Sequence, residues 1–170
     1  MIVFRKPVAG VSGPLLTRFL SRAGRAAGLR GRVMVLITGN RELRALNLRF
    51  RGRNEPTDVL SFPAAAELGR EIAGDLAISA QIATANATRL GHPLAEELKV
   101  LILHGVLHLA GFDHENDAGE MARREERLRR ELRLPVALIG RSGFPAGQAG
   151  IARPSRKAPS TARKSPRGRT

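Results

Sequence analysis

The stretch Leu98 to Ala110, LKVLILHGVLHLA, constrains the fold of this chain more than any other. It is apolar on nearly every side, and a helix of that composition must be buried, so we expect it to lie at the centre of the domain. Its main polar groups are His104 and His108. Four residues apart on a helix, they lie roughly 40° apart around the axis and one turn along it, so both imidazoles point the same way.

A third histidine, His114, follows after Gly111, which suits the left-handed conformation that ends a helix and lets the chain turn back. Three imidazoles with a fourth position open to water are typical of a catalytic zinc site, whereas a structural site usually has a fourth protein ligand. Zinc is the expected metal, and nickel or copper are alternatives in vitro. The competing interpretation is a set of hydrogen-bonded core histidines.

The spacing H-x-x-x-H-x-x-G-x-x-H is that of the metzincin peptidases, but Gly105 stands where those enzymes carry their glutamate base. Zinc could still lower the pKa of a bound water to about 7 or polarise a phosphoryl oxygen, so phosphodiester hydrolysis remains open. Asp113, beside the third histidine, either orients a ligand imidazole or shapes the turn, and the turn is the favoured interpretation.

Length and charge predict one domain followed by a tail. The 170 residues contain no cysteine, which leaves only His, Asp and Glu as metal ligands. Residues 141–170 hold eight of the Lys/Arg and no Asp/Glu, which leaves +6 of the net +14 for residues 1–140. We therefore predict a folded domain over 1–140 and a disordered basic tail over 141–170, acting either as a solubilising extension or in nonspecific contacts with phosphates.

Nothing at the N-terminus resembles a signal peptide, and no apolar run has the roughly 20 residues that a bilayer requires. We expect a cytoplasmic protein without membrane contact.

Strand and helix patterns alternate along the chain and predict an α+β domain, in which a small mixed β-sheet packs against several helices. Strands are predicted at Ile2–Phe4, 33–38, 59–62 and 74–79. A first helix is predicted from Ser12 to Gly28, and a second begins at a cap at Asn40, with Leu43, Leu46 and Leu48 facing a core. A long helical region is predicted on both sides of a break at 91–93. The last helix is predicted from Glu115 to Arg133, along an apolar line of Met121, Leu128 and Leu132.

Residues 46–63, LNLRFRGRNEPTDVLSFP, form a second unusual segment. Arg49, Arg51 and Arg53 are spaced two apart, and Pro56-Thr57-Asp58 makes a turn into a strand. Composition alone indicates a basic loop before a strand and proves no chemistry.

Together, this segment and HGVLHLAGFDH closely resemble the two signatures of the YbeY family of zinc-dependent endoribonucleases. The first signature is matched by Asn47, Phe50, Arg51, Arg53, Pro56, Thr57, Asp58, Val59, Leu60, Ser61 and Phe62. The second is matched by His104, Gly105, Leu107, His108, Leu109, Gly111, Asp113 and His114. The similarity extends over roughly residues 30–134 and includes Glu97, Met121 and Glu126.

The resemblance implies a single-strand-specific endoribonuclease that acts in 16S rRNA 3′-end maturation and ribosome quality control, with the small ribosomal subunit as a partner. It implies one Zn²⁺ per chain held by His104, His108 and His114, and a catalytic role for Arg51, whose guanidinium can bind a phosphate and stabilise its transition state. Arg49, Arg53 and Ser61 are the expected substrate-binding residues. With no Trp or Tyr and six Phe, base stacking should contribute little, which predicts weak sequence preference.

Two other classes of function remain open. One is a zinc peptidase, which the ligand spacing favours and Gly105 opposes. The other is a non-catalytic ribosome assembly factor whose zinc is structural and whose basic tail binds ribosomal RNA.

Overall fold

The computed structural model of the chain describes residues 1–65, 71–112, 119–135 and 150–151. In these ranges the helices are α1 (Gly13–Ala27), α2 (Asn40–Arg51), α3 (Ala80–Leu90), α4 (Leu94–Leu109) and α5 (Glu120–Glu131). The strands are β1 (Ile2–Phe4), β2 (Arg32–Thr38), β3 (Val59–Pro63), β4 (Ile72–Ser79) and β5 (Gly150–Ile151).

The strands form one mixed sheet in the order β1-β2-β4-β3-β5. β1, β2 and β4 are parallel, β3 runs antiparallel to β4, and β5 pairs in parallel with β3. The predicted α+β domain with a small mixed sheet is confirmed. The predicted domain boundary at residue 140 lies outside the described residues, as does the predicted tail except for the two residues of β5.

Helix α4 is the central element, as its composition predicts. It contacts α1, α3 and α5 as well as β3 and β4, and every residue from Val100 to His108 is buried. The larger core lies on this side of the sheet, where alternate residues of β2 and β4 such as Val35 and Leu76 meet the helices. Alternation in the strands therefore turns one face of the sheet toward α4.

Helix α2 packs on the opposite face of the sheet. A smaller core joins Leu43 of this helix to Leu60 of β3 and Ala77 of β4. The sheet is therefore covered by α2 on one side and by α4 with its neighbours on the other.

Helix α1 begins and ends as its sequence predicts. The Ser12 hydroxyl accepts a hydrogen bond from the N–H of Leu15, and Gly28 ends the helix in the left-handed conformation. Its arginines Arg18, Arg22 and Arg25 are exposed, and so is Leu15, at 57%. The buried residues are Leu16, Phe19, Leu20, Ala23 and Ala27. An amphipathic helix with a side-chain N-cap is thus read correctly from sequence.

Three local predictions were wrong. Gly39, not Asn40, caps α2, because the Asn40 side chain accepts a hydrogen bond from the Ser79 hydroxyl at the start of α3. Leu48 is 48% exposed, since the buried face of α2 passes through the neighbouring Asn47. Helix α5 begins at Glu120, after Gly119, while residues 115–118 of the predicted helix lie outside the described residues.

None of the helices in the described ranges is both long and apolar enough to cross a bilayer.

Candidate active site on helix α4

His104 and His108 lie side by side on the last two turns of α4. The Nε2 atoms of the two rings are 3.2 Å apart, and the rings meet edge to face. Both residues are buried, at 7% and 1% exposure. The four-residue spacing thus brings the two imidazoles together as predicted.

The outer nitrogen of each ring faces a hydrogen-bond acceptor. Nδ1 of His104 lies 2.8 Å from the Glu125 carboxylate, and Nδ1 of His108 lies 3.1 Å from the carbonyl oxygen of Phe112. An acceptor at Nδ1 places the proton of a neutral imidazole on that nitrogen, so its lone pair is on Nε2. The two Nε2 lone pairs therefore face each other.

This arrangement fits a metal ion. Two lone pairs at this distance repel each other unless a cation lies between them, and tetrahedral zinc with Zn–N bonds of about 2.0–2.1 Å separates its nitrogen ligands by about 3.3 Å. His104 and His108 have this spacing. Within the described ranges no group of three His, Cys, Asp or Glu side chains is placed to hold a metal ion, and the third predicted ligand, His114, lies outside them together with Asp113.

Gly105 packs directly against the sheet. A Cβ built at this position would lie 2.7 Å from Cδ2 of Leu76, which is closer than real contacts allow. A side chain here would therefore run into β4. The glutamate that the metzincins carry at this point of the motif would have to displace the Leu76 side chain.

Ser61 of β3 supports α4 from the sheet. Its hydroxyl donates a hydrogen bond to the carbonyl oxygen of Gly105 at 3.3 Å, and the residue is 1% exposed. The structure thus places Ser61 in the interior beside the histidine pair, as a contact between strand and helix. Its predicted contact with substrate would require the surrounding packing to open.

The three predicted arginines lie at the end of α2 and just beyond it. Arg51, the last residue of the helix, is half-buried, whereas Arg49 and Arg53 are exposed. The guanidinium of Arg49 lies 5.2 Å from the centre of the Phe50 ring, within the range of a cation–π contact. Two of the three cations are therefore on the surface.

Side chains of α2 hold the loop that follows it. Asn47 donates from Nδ2 to the carbonyl oxygen of Glu55 at 2.8 Å, and Arg44 donates from Nε to Oδ1 of Asn54 at 2.8 Å. At the other end of the segment, Asp58 accepts from the N–H of Val59 at 2.8 Å, where β3 begins. The basic segment is thus fixed at both ends.

The two sequence motifs flank strand β3. The Phe62 ring packs edge to face against Phe50, one residue before Arg51, with 5.1 Å between ring centres. The preceding residue, Ser61, bonds to Gly105 on the other face of the strand. Neighbouring residues of one strand therefore connect the basic segment to the helix that carries the histidines.

Sequence reasoning did not predict the contacts of two buried carboxylates. Glu125 of α5 bonds to His104, and Glu97 in the first turn of α4 lies 2.9 Å from Nε2 of His92. The signal for Glu125 was present, because it falls on the apolar line of α5 between Met121 and Leu128. His92 anchors the start of α4 through Glu97.

Comparison with known proteins adds evidence independent of this geometry. Residues 14–133 match the family described as Endoribonuclease YbeY. Endoribonuclease YbeY of Koribacter versatilis (strain Ellin345) is 56% identical over 149 residues, covering 88% of this chain and 96% of that protein. The protein of the same name from Solibacter usitatus (strain Ellin6076) is 45% identical over 140 residues, covering 82% of this chain and 92% of the other.

A solved structure is also similar. The solution structure of TM1509 from Thermotoga maritima superposes with a TM-score of 0.53 at 30% identity, covering 78% of this chain and 89% of that one. The helices and the mixed sheet around α4 are thus an arrangement that another chain adopts in solution.

Proposed function

Since the chain belongs to the YbeY endoribonuclease family, whose name describes a hydrolase acting on RNA, we propose that it is a zinc-dependent endoribonuclease specific for single strands. We further propose that its substrate is the 3′ end of 16S ribosomal RNA and that it acts on the small ribosomal subunit, in maturation and quality control. The observation that carries the metal dependence is the 3.2 Å spacing of the two Nε2 atoms.

In this proposal His104 and His108 hold the metal with His114. When bound, zinc supplies Lewis acidity toward a phosphoryl oxygen and acidity to a water molecule. The three nitrogen ligands leave room for one further ligand. The acceptors at Nδ1 keep both rings oriented toward the metal position.

Arg51 binds the scissile phosphate. A guanidinium can donate two parallel hydrogen bonds to phosphate oxygens and stabilise the charge that grows on them in the transition state. Its half-buried position limits its freedom, and the packing of Phe50 on Phe62 fixes the backbone next to it. Hydrolysis adds one water across the P–O bond and leaves one hydroxyl end and one phosphomonoester end.

Arg49 and Arg53 bind flanking phosphates. Both are exposed, and such contacts depend on charge and not on base identity, so binding weakens as salt rises. Six phenylalanines and no Trp or Tyr leave few platforms for base stacking, which supports weak sequence preference.

The experiment compares cleavage of a labelled single-stranded RNA by wild type, Arg51→Glu and His104→Ala, with circular dichroism as the check on folding. We expect both variants to remain folded and to lose at least about tenfold in cleavage rate. Chelator should abolish the wild-type activity and zinc should restore it. Equal cleavage by all samples would point to a contaminating nuclease and contradict the proposal.

A second candidate function is a non-catalytic assembly factor with structural zinc, and one observation favours it: both histidines are buried, His108 almost completely. In that case His108→Ala should unfold the domain, and no RNA cleavage should accompany the purified wild type. A peptidase is opposed by the contact of Gly105 with Leu76, and a peptide-library assay tests it directly.

A further inference from the structure

We propose that Glu125 is a positioning residue that holds the His104 imidazole in its metal-binding tautomer, and that Arg129 in turn holds the Glu125 carboxylate. This inference rests on the proposed function, because its purpose is to orient a metal ligand. It assigns a role to the face of α5 that packs on α4.

Glu125 of α5 contacts His104 of α4. Oε2 of Glu125 lies 2.8 Å from Nδ1 of His104, and both residues are buried. An ionised carboxylate has only acceptors, so Nδ1 of His104 must be the donor, and the lone pair of the ring is left on Nε2. That nitrogen faces His108.

Arg129 is the second partner of the Glu125 carboxylate. The other oxygen of Glu125 accepts a hydrogen bond from Nη2 of Arg129, one turn further along α5, and Arg129 is itself buried. The carboxylate is therefore held between the buried guanidinium and the His104 ring, with one oxygen toward each. Arg129 thus orients the Glu125 carboxylate, and Glu125 orients the His104 ring toward the metal position.

A second ion pair with the same spacing lies on the surface of α5. Glu126 and Arg130 have the same i, i+4 spacing and form an ion pair at 3.3 Å, but their side chains are 59% and 65% exposed. This second pair is a surface feature, and among the residues that the structure describes it has no hydrogen bond or ion pair to a histidine. Glu126→Gln is therefore a matched control for Glu125→Gln, with the same chemical change one residue away.

The experiment uses the full chain and has two readouts. The first is zinc affinity, measured by competition with a chromogenic chelator. The second is the tautomer of His104 in the metal-free protein, measured from the ¹⁵N shifts of its ring nitrogens. In Glu125→Gln the amide can present its NH₂ to Nδ1, which would move the imidazole proton to Nε2.

We expect Glu125→Gln to bind zinc about 10–100-fold more weakly than wild type and to lose the Nδ1–H tautomer. Glu126→Gln should match wild type in both readouts. If Glu125→Gln fails to fold because Arg129 is left without its partner, the double variant Glu125→Gln/Arg129→Gln removes both charges together, and it should fold and show the same weak binding.

The inference would be overturned if Glu125→Gln kept the zinc affinity and the His104 tautomer of wild type. It would also be overturned if Glu126→Gln changed both readouts as much as Glu125→Gln does. Failure of the proposed function gives a different result, since wild type would then either bind zinc without cleaving RNA or bind no zinc at all. The tautomer in the metal-free protein would still decide whether Glu125 positions His104.

Discussion

Gly105 of α4 lies against Leu76 of β4 so closely that even a methyl group at position 105 would be 2.7 Å from the leucine side chain. Helix α4, which carries the histidines, can therefore pack this closely on the sheet because residue 105 has no side chain. A glycine in a helix normally costs stability relative to alanine, so packing decides this position.

We predict that Gly105→Ala lowers the free energy of unfolding by about 1–3 kcal/mol, because overpacking outweighs the gain in helix propensity. Urea unfolding followed by circular dichroism measures the change. Gly24 of α1 is the control, since a Cβ there meets no atom within 4 Å, and Gly24→Ala should stabilise by about 0.5–1 kcal/mol. A stabilising Gly105→Ala would show that α4 can move away from β4.

The pair of His92 and Glu97 should stabilise the start of α4. The Glu97 carboxylate is fully buried, so His92→Ala, which removes one of its partners, should cost about 1–3 kcal/mol in urea unfolding. Lys99→Ala, which breaks the more exposed Glu96–Lys99 pair on the same helix, should cost at most about 1 kcal/mol. Equal losses in the two variants would contradict a special role for His92.

These contacts show where sequence reasoning succeeds. The period of apolar residues identifies α4 as the central helix, and the i, i+4 spacing places His104 beside His108, because both depend only on helix geometry. The parallel pairing of β1, β2 and β4 depends on contacts between distant segments, which no local pattern contains.

Several of the differences between prediction and structure have a common physical origin. A polar residue on the buried face of a helix is stabilised by a partner from another element, and the partner is invisible in the local sequence. Asn47 is buried beside Leu43 with its amide on the Glu55 carbonyl, and Glu125 is buried beside Met121 with its carboxylate on His104. A charged residue on an apolar stripe is therefore a useful signal for a site.

Stability should fall in acid partly through Glu42. Hydrogen bonds from Arg5 and Thr38 hold the pKa of this carboxyl below its ordinary value of 4.5. A lowered pKa stabilises the folded state above the ordinary value, and the contribution is lost as pH falls through the lowered one.

Glu42→Gln should thus be less stable than wild type at pH 7, and the difference should shrink below about pH 4. Urea unfolding at several pH values measures it, with the exposed Glu131→Gln as the control. A difference that persists unchanged in acid would mean that the carboxylate charge has no part in it.

Asp75 should behave in the opposite way. Asp75 is exposed but lies next to Phe62 on the neighbouring strand, and partial desolvation raises the pKa of its carboxyl above the ordinary value of 3.8. The folded state then binds the proton more tightly, so the charged form costs stability once pH rises through the raised pKa. Asp75→Asn should be more stable than wild type at pH 7 and lose that advantage below about pH 4, in the same urea series. A less stable Asp75→Asn at pH 7 would indicate a favourable contact of the charge.

The central claim, that His104 and His108 hold a metal on which RNA cleavage depends, is tested most directly by measuring zinc content and single-stranded RNA cleavage on the same samples during a chelator titration. The account predicts about one zinc per chain in the active protein, and activity that falls in proportion to zinc and returns when zinc is added back. Full cleavage by wild type stripped of zinc, or cleavage by His104→Ala equal to that of wild type, would contradict it.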